Sequence, residues 1–495
     1  MKTAKHATGF TLMIVITSVL GLLREVIIAR TFGTSLEMDC FIAAFAIVSF
    51  IGLILSPQTM QTMFMPSYQD ALARSSNSAS IFINNIGIFL LVILIIGSLA
   101  GYALAPYIVR LIMPGFDGTQ ITLTKDLMRI MIPLVAIQGM VSLGHALCNA
   151  HRQFVYPLSS QALNNLLVLI LLFLLPIHSV YTLAWYFIAG GILSAMVPLI
   201  AYKKLVPYRT MSRTDHSHLH ALYTTWPLLI LALIDQSAQL LPRSVASLLE
   251  YGDITALNYG FRLIALPVAM IAMAISSVLF PSIIEHVREA PERAIDSIRK
   301  GTALLFYCLI PISAVLCIDS KEVVHIIFSS GHFNAAAVEK TSSSLQFYAL
   351  GILGFGYLMF LNRIYCAYRY YWSYVMATLS AFTILVLLSL SLIKPMGHDG
   401  IALAFSLYCY IACAILILRM GRFTYNRIIS LKNVLRIFIS IALASCLLWQ
   451  WNTEVLWLFT IKISLFSLLY LIILWLLRDE NLRYSYAHAR GYITQ

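Results

Sequence analysis

The stretch I-F-I-N-N-I-G-I-F-L-L-V-I-L-I-I-G-S-L-A-G-Y-A-L-A-P-Y-I, residues 81–108, contains no acidic or basic side chain. A helix needs about 20 apolar residues to cross the hydrocarbon of a bilayer, and only a helix or a closed barrel satisfies its own backbone there. Residues 81–108 therefore read as a membrane span, with Asn84 and Asn85 as polar interruptions. Comparable windows, punctuated by Pro, Gly and charge, recur near 8–29, 39–56, 124–148, 156–176, 179–201, 224–247, 254–283, 301–318, 344–368, 371–393, 400–419, 433–450 and 456–477. With 81–108 they predict an all-α polytopic membrane protein of about fourteen transmembrane helices.

Composition agrees. The chain has 495 residues, 60% of them hydrophobic and 11% charged, and a mean hydropathy of +0.85. That excludes a soluble multidomain protein and leaves no room for a large soluble catalytic domain. The formal charge of +12 would suggest nucleic acid in a water-soluble chain. Here its distribution is a topology signal instead, and no nucleic-acid partner is expected. With the amino terminus in the cytoplasm, 21 Lys and Arg fall in cytoplasmic segments, and only Arg30, Arg110, Lys125, Arg129, Lys321, Lys340 and Lys394 fall on or near the opposite side. This positive-inside bias puts both termini in the cytoplasm. The basic start at Lys2 and Lys5 imitates a signal peptide, but the apolar run continues into Arg24 and Glu25 without a small-residue cleavage site and reads as a retained first span.

The spans group as 1–201, a linker at 202–223, 224–420, and a final pair with a cytoplasmic tail at 421–495. In the linker, His216, His218 and His220 have a spacing that would hold a metal in a strand, but a polar connection is the simpler reading. Residues 285–300, with charges of both signs at helical spacing, read as an amphipathic helix at the cytoplasmic surface. Eight scattered cysteines lack a C-x-x-C pair and read as small buried hydrophobes. No Walker, zincin or nucleophile-elbow motif is present, and the sequence implies no cofactor, metal site or catalytic residue.

The remaining basic residues, Arg24, Arg243, Arg262, Arg363 and Lys462, lie within apolar spans. Charge there is costly unless it meets a partner, a headgroup or a water-filled cavity. Arginines in a cavity grip phosphoryl oxygens by charge-assisted, often bidentate bonds, so Arg24 and Arg262 are candidates for an anionic headgroup. The alternative makes them structural partners of Glu25, Asp39 or Asp235. Asp235 and Gln236 stand mid-span, with Gln239 and Arg243 on one helical stripe. Asp235 is either an ion-coupling carboxylate or the counter-charge of Arg243 or Arg262. Arg363, near the cytoplasmic end of its span, and Lys462, near the outer start of the last, fit snorkelling to the interface. Asn164, with Asn165, Gln138 and His145, either joins helices or lines a cavity. Pro133, Pro227, Pro267 and Pro311 are candidate kinks.

Three blocks resemble a known family. They are V-L-G-L-L-R-E-V-I-I-A-R-T-F-G-T-S-L-E-M-D-C-F-I-A-A-F (19–45), L-A-P-Y-I-V-R-L-I-M-P-G-F (104–116), and N-Y-G-F-R-L-I-A-L-P (258–267) continuing to V-L-F-P (278–281); Y-A-L-G-I-L-G-F-G-Y-L-M-F-L-N-R (348–363) is a weaker fourth. They are similar to the bacterial lipid II flippase family, MurJ or MviN, of the MOP exporter superfamily, as a divergent member. The resemblance implies two pseudo-symmetric six-helix lobes plus two carboxy-terminal helices with a groove for a polyprenyl tail. It implies a non-enzymatic flippase that moves an undecaprenyl-pyrophosphate-linked glycan across the inner membrane by alternating access, driven by membrane potential rather than ATP. By motif, Arg24, Arg30, Asp39 and Arg262 match family positions and are the candidate substrate-binding residues; Asp235, Gln236, Asn164 and Arg363, read from their place in the spans rather than from the motifs, are candidate coupling or cavity polar positions. Membrane lipids and the cell-wall synthesis machinery are the further partners implied. Two departures stand out: Gly52 and Leu53 replace the family's usual Arg-Arg pair, and Tyr368 to Tyr371 replace a D-T-R-T-P-like loop. They keep open a flippase for another polyprenyl-linked oligosaccharide, in exopolysaccharide or surface glycan synthesis, and, less favoured, a cation-coupled multidrug exporter.

Overall fold

Residues 2–53, 56–153, 155–175, 179–206, 217–420, 431–448 and 456–476 are described by a computed structural model. Among them the chain is almost entirely helical and contains no strand. It forms two compact units, Met1–Asn258 with Gly331–Phe333, and Tyr259–Ser330 with Asn334–Gln495.

The first unit contains α1 (Lys2–Phe32), α2 (Leu36–Leu53), α3 (Pro57–Arg74), α4 (Ser76–Ile112), α5 (Gly118–Met131), α6 (Pro133–Ala150), α7 (Val155–Leu174), α8 (Val180–Leu205) and α9 (Ser217–Ala246). Helix α10 (Asp253–Glu289) starts in it and continues in the second unit. There follow α11 (Pro291–Ile318), α12 (Ser320–Phe328), α13 (Ala335–Leu350), α14 (Ile352–Ala367), α15 (Tyr371–Arg419), α16 (Leu431–Leu448) and α17 (Leu456–Leu476). In the first unit α7 packs on α1 and α8, α2 on α5, and α6 on α3 and α8. In the second, α13 and α14 pack on α15, and α11 carries α13, α14 and the α16–α17 pair.

Among the described residues each expected span lies on one helix or on a bent pair of helices. Among them seven helices are long and apolar enough to cross a membrane alone, and two bent pairs pass the same test together. Pro133 bends the α5–α6 pair by 41°, as Pro at the first helical position ends the preceding hydrogen-bond ladder. The α13–α14 pair bends by 50° at Gly351. Spans 371–393 and 400–419 form one 49-residue helix broken at Gly397. Local sequence sets the helix starts: Asp117 accepts from Gln120 N at 2.7 Å while Gln120 Oε1 accepts from Asp117 N at 2.9 Å, a complete capping box. The apolar side of α4 stays uncovered by protein, with Ile96 60% and Leu99 66% exposed, which suits contact with lipid.

The connection after the second span is helical: Pro57 starts α3, capped by the Ser56 hydroxyl. One expectation changes. Residues 285–300 are not a separate surface helix, because α10 runs to Glu289 and α11 restarts at Pro291. Proline at the first helical position permits that immediate restart. The division into compact units falls at Asn258, since α9 packs on α2, α3 and α4 of the first unit. Residues 207–216 of the linker, with His216, and the side chains of His218 and His220 lie outside the described residues.

Gly397 has φ 57° and ψ −134°, a region essentially closed to other residues. Gly397→Ala is expected to lower unfolding stability by about 1–3 kcal/mol. Gly97→Ala, at an open helical position, should be neutral or stabilise by up to about 1 kcal/mol. Thermal unfolding of the purified protein in detergent compares the two.

Candidate functional site

Arg24 sits mid-helix in α1 and is 8% exposed. Its Nη2 donates to Glu25 Oε1 at 2.7 Å and its Nη1 to Asn165 Oδ1 of α7 at 3.0 Å. The guanidinium lies 4.8 Å from the Phe187 ring centroid on α8, a cation–π distance. Asn165 Nδ2 in turn donates to the Thr17 carbonyl of α1 at 3.1 Å. The group is a neutral pair, cross-linked by an amide to a second helix, and this is how a low-dielectric interior tolerates an arginine. One donor is left over: Arg24 Nε is buried with no hydrogen-bond partner among the described residues.

Asp39 occupies a different network. It is 2% exposed on α2, and its carboxylate accepts from Gly252 N at 2.5 Å, Thr255 N at 2.8 Å and Thr255 Oγ1 at 2.5 Å. These donors form the first turn of α10, so Asp39 caps that helix from another helix and places its charge at the positive end of the dipole. Arg24 and Asp39 are therefore not partners here. Arg30 is exposed at the end of α1, where its carbonyl accepts from His332 N at 2.8 Å. Gly33, with φ 57°, turns the chain there into α2, and a β-carbon on it would collide with the His332 carbonyl.

Of the alternatives open for Asp235, a pair with Arg243 on α9 does not form. Arg243 Nη1 donates to the Gln239 carbonyl at 2.8 Å and Nη2 to Asn258 Oδ1 at 2.9 Å. Residues eight apart on one helix lie about 12 Å apart along its axis, beyond the reach of the carboxylate, whereas Asn258 comes alongside from α10. Asp235 is half-buried and enters no hydrogen bond or ion pair among the described residues, and Gln236 beside it is half-buried too. Asn164, against Gly190 of α8, has its Oδ1 buried without a hydrogen-bond partner among the described residues.

In the second unit Arg262 is half-buried on α10. Arg363 of α14 is half-buried, 5.7 Å from the Phe280 ring centroid. Lys462 does not snorkel: it is 5% exposed, and its Nζ donates to Asp319 Oδ1 at 2.6 Å. Asp319 follows the last residue of α11 and looks in sequence like an ordinary helix-end acid. Thr255 carried a better signal, because the run G-D-I-T at 252–255 has the composition of a helix start.

A family model described as lipid II flippase MurJ matches residues 28–471. A probable lipid II flippase MurJ from Buchnera aphidicola subsp. Acyrthosiphon pisum is 25% identical over 451 residues, covering 89% of this chain and 87% of that protein. The lipid II flippase MurJ of Burkholderia cenocepacia is 24% identical over 412 residues, covering 80% and 79%. A solved structure described as lipid II flippase MurJ in an inward closed conformation matches with a TM-score of 0.80 at 21% identity, over 94% of this chain and 97% of that one. An inward-facing multidrug resistance MATE family transporter of the MOP superfamily matches at 0.69 and 14% identity, over 83% and 95%. The fold is that of the MOP exporters.

Glu25→Gln strips the buried Arg24 of its counter-charge and is expected to cost about 3–5 kcal/mol of stability, while Arg24→Met combined with Glu25→Leu should recover most of it. Asp39→Ala orphans three donors and is expected to cost about 3 kcal/mol. Thermal unfolding midpoints of the four proteins in one detergent check both expectations.

Proposed function

Because the chain belongs to the lipid II flippase MurJ family, we propose that it moves lipid II, an undecaprenyl-pyrophosphate-linked peptidoglycan precursor, from the inner to the outer leaflet by alternating access. The observation that carries this reading is the family match over 28–471, which takes in both the Arg262 motif and Asp39. The family is one of transporters, and the chain is a multi-pass membrane protein of the inner membrane. Its cargo is a polyprenyl-linked glycan.

In this reading Arg24 is neutralised by Glu25 while no anion is present. A pyrophosphate oxygen competes with Glu25 for the guanidinium, and the buried Nε supplies a further donor for a bidentate grip. Arg30 near the end of α1, and Arg262 in the second unit, are the further cations assigned to headgroup binding. Asp39 holds the start of α10 in one conformation, so the brace at Gly252 and Thr255 loosens when access alternates. Asp235, with Gln236 beside it, is the coupling group, since a carboxylate in a span that has no partner among the described residues invites a cation. The Asn164 amide and Arg363 line the route of the polar headgroup.

The driving force follows from charge. A pyrophosphate diester carries two negative charges, and an interior-negative potential favours their outward movement by about 2.3 kcal/mol per charge per 100 mV. Nucleotide hydrolysis is not required. The positive-inside bias supports cytoplasmic termini, and the cell-wall synthesis machinery is the protein partner in this reading.

The test is replacement of a host's essential lipid II flippase by this protein, with membrane abundance measured for the intact form, Arg24→Ala and Arg262→Ala. The intact protein should support growth, and both arginine variants should lose it at equal abundance. Failure of the well-inserted intact protein would point to another lipid-linked glycan, and normal growth with both variants would end the cationic-cavity role.

A further inference from the structure

The seam that holds α16 and α17 to α11 is largely apolar: Ile310, Ile437, Ile441, Ala444, Phe466, Tyr470 and Leu474 belong to one buried cluster, in which the Tyr470 hydroxyl donates to the Tyr307 carbonyl of α11 at 3.2 Å. In hydrocarbon such a seam discriminates poorly between registers. Lipid chains are as apolar as the side chains, so sliding a helix by one turn exchanges one aliphatic contact for another. Helix α17, L-W-L-F-T-I-K-I-S-L-F-S-L-L-Y-L-I-I-L-W-L, is predominantly apolar, with hydroxyls at Thr460, Ser464, Ser467 and Tyr470, and carries a single charge, Lys462.

That charge meets Asp319, the residue that caps the end of α11. Lys462 and Asp319 are 5% and 7% exposed and meet at 2.6 Å. Beside them is a cavity with about 20 Å³ of room for the centre of a water molecule, lined by Asp319, Lys462, Ser445 of α16 and the apolar Val315, Ile463 and Phe466, among others. Ser445 Oγ is buried with no hydrogen-bond partner among the described residues, and the Lys462 ammonium, which has three N–H donors, makes one hydrogen bond. A bound water needs roughly 10–15 Å³ of such room and two to four polar partners. Asp319, Lys462 and Ser445 supply three, one from each of the three helices.

We propose that Asp319, Lys462 and Ser445 form an ionic latch around one bound water, and that this latch selects the single register in which the α16–α17 pair seats on α11. A slide of one turn moves Lys462 by about 5.4 Å and leaves both charges unpaired in hydrocarbon, so every register but one is penalised. The latch does not depend on what the protein carries.

Engineered cysteines read the register in the full-length protein in lipid nanodiscs, on a background in which Cys308 and Cys317 of α11 and Cys446 of α16 are replaced by serine and Tyr470, whose hydroxyl also bonds across the seam, by phenylalanine. Cysteines at Val315 and Phe466, which line the same cavity, report the seated register. Cysteines at Val315 and Leu469 report a slide of about one turn. With the latch intact, oxidation should give the first disulfide at least about tenfold over the second. In Asp319→Leu combined with Lys462→Met the two yields should converge to within about threefold, while the unfolding midpoint stays near that of the parent. A double variant that keeps the tenfold preference overturns the latch. Should it fail to insert, Lys462→Arg must keep the preference and Lys462→Gln must lose it, and the reverse overturns the latch equally. The water is read by radiolytic hydroxyl labelling with mass spectrometry. Phe466, only 6% exposed, should be labelled in the parent and several-fold less in Ser445→Val; an unlabelled Phe466 in the parent overturns the hydrated form.

Discussion

Hydrocarbon cannot hydrogen-bond, and the rest of this molecule follows from that constraint. A backbone in it must close its own ladder, so each long apolar window becomes a helix. A charge in it must bring its partner along. Arg24 therefore lies against Glu25 and the Asn165 amide, Asp39 against the first turn of α10, and Lys462 against Asp319. Apolar contact fills the space between helices but contributes little preference for one neighbour over another, so these few polar contacts carry much of the specificity of assembly.

The same constraint separates bracing from working groups. Asp39 uses its carboxylate on three donors and is a brace in this conformation. Asp235, Gln236 and the Asn164 Oδ1 are left without such partners among the described residues. A folded membrane protein retains costly unpaired polarity where function requires it. Arg24 falls between the two classes: it is neutral overall through Glu25, yet it keeps one buried donor in reserve. The anion-binding role proposed for Arg24 needs that combination, because its charge must be stabilised when the site is empty and still be available when a headgroup arrives.

Much of this was legible in the chain, for reasons that can be named. Residues 81–108 announce a span by composition, and the break at Pro133 follows from a missing N–H. Arg24 and Asp39 stand out as charges in or beside apolar runs. Their partners did not stand out with equal clarity. Asp235 and Arg243 share a helical stripe that left a pair open, yet Arg243 turns to Asn258. Lys462 looked close enough to the interface to snorkel, yet Asp319 holds it inside.

The sequence by itself determined the class of the protein and where its long apolar helices run. Those properties are sums over neighbouring residues, since hydropathy adds along about 20 positions. Tertiary structure alone decided which charge meets which partner. The bond from Arg24 to Asn165 spans 141 residues, that from Lys462 to Asp319 spans 143, and that from Thr255 to Asp39 spans 216. Hydrogen bonds act only within about 3 Å and within narrow angles, so such partners are set by where separate helices come to lie, which no local sum over the chain records.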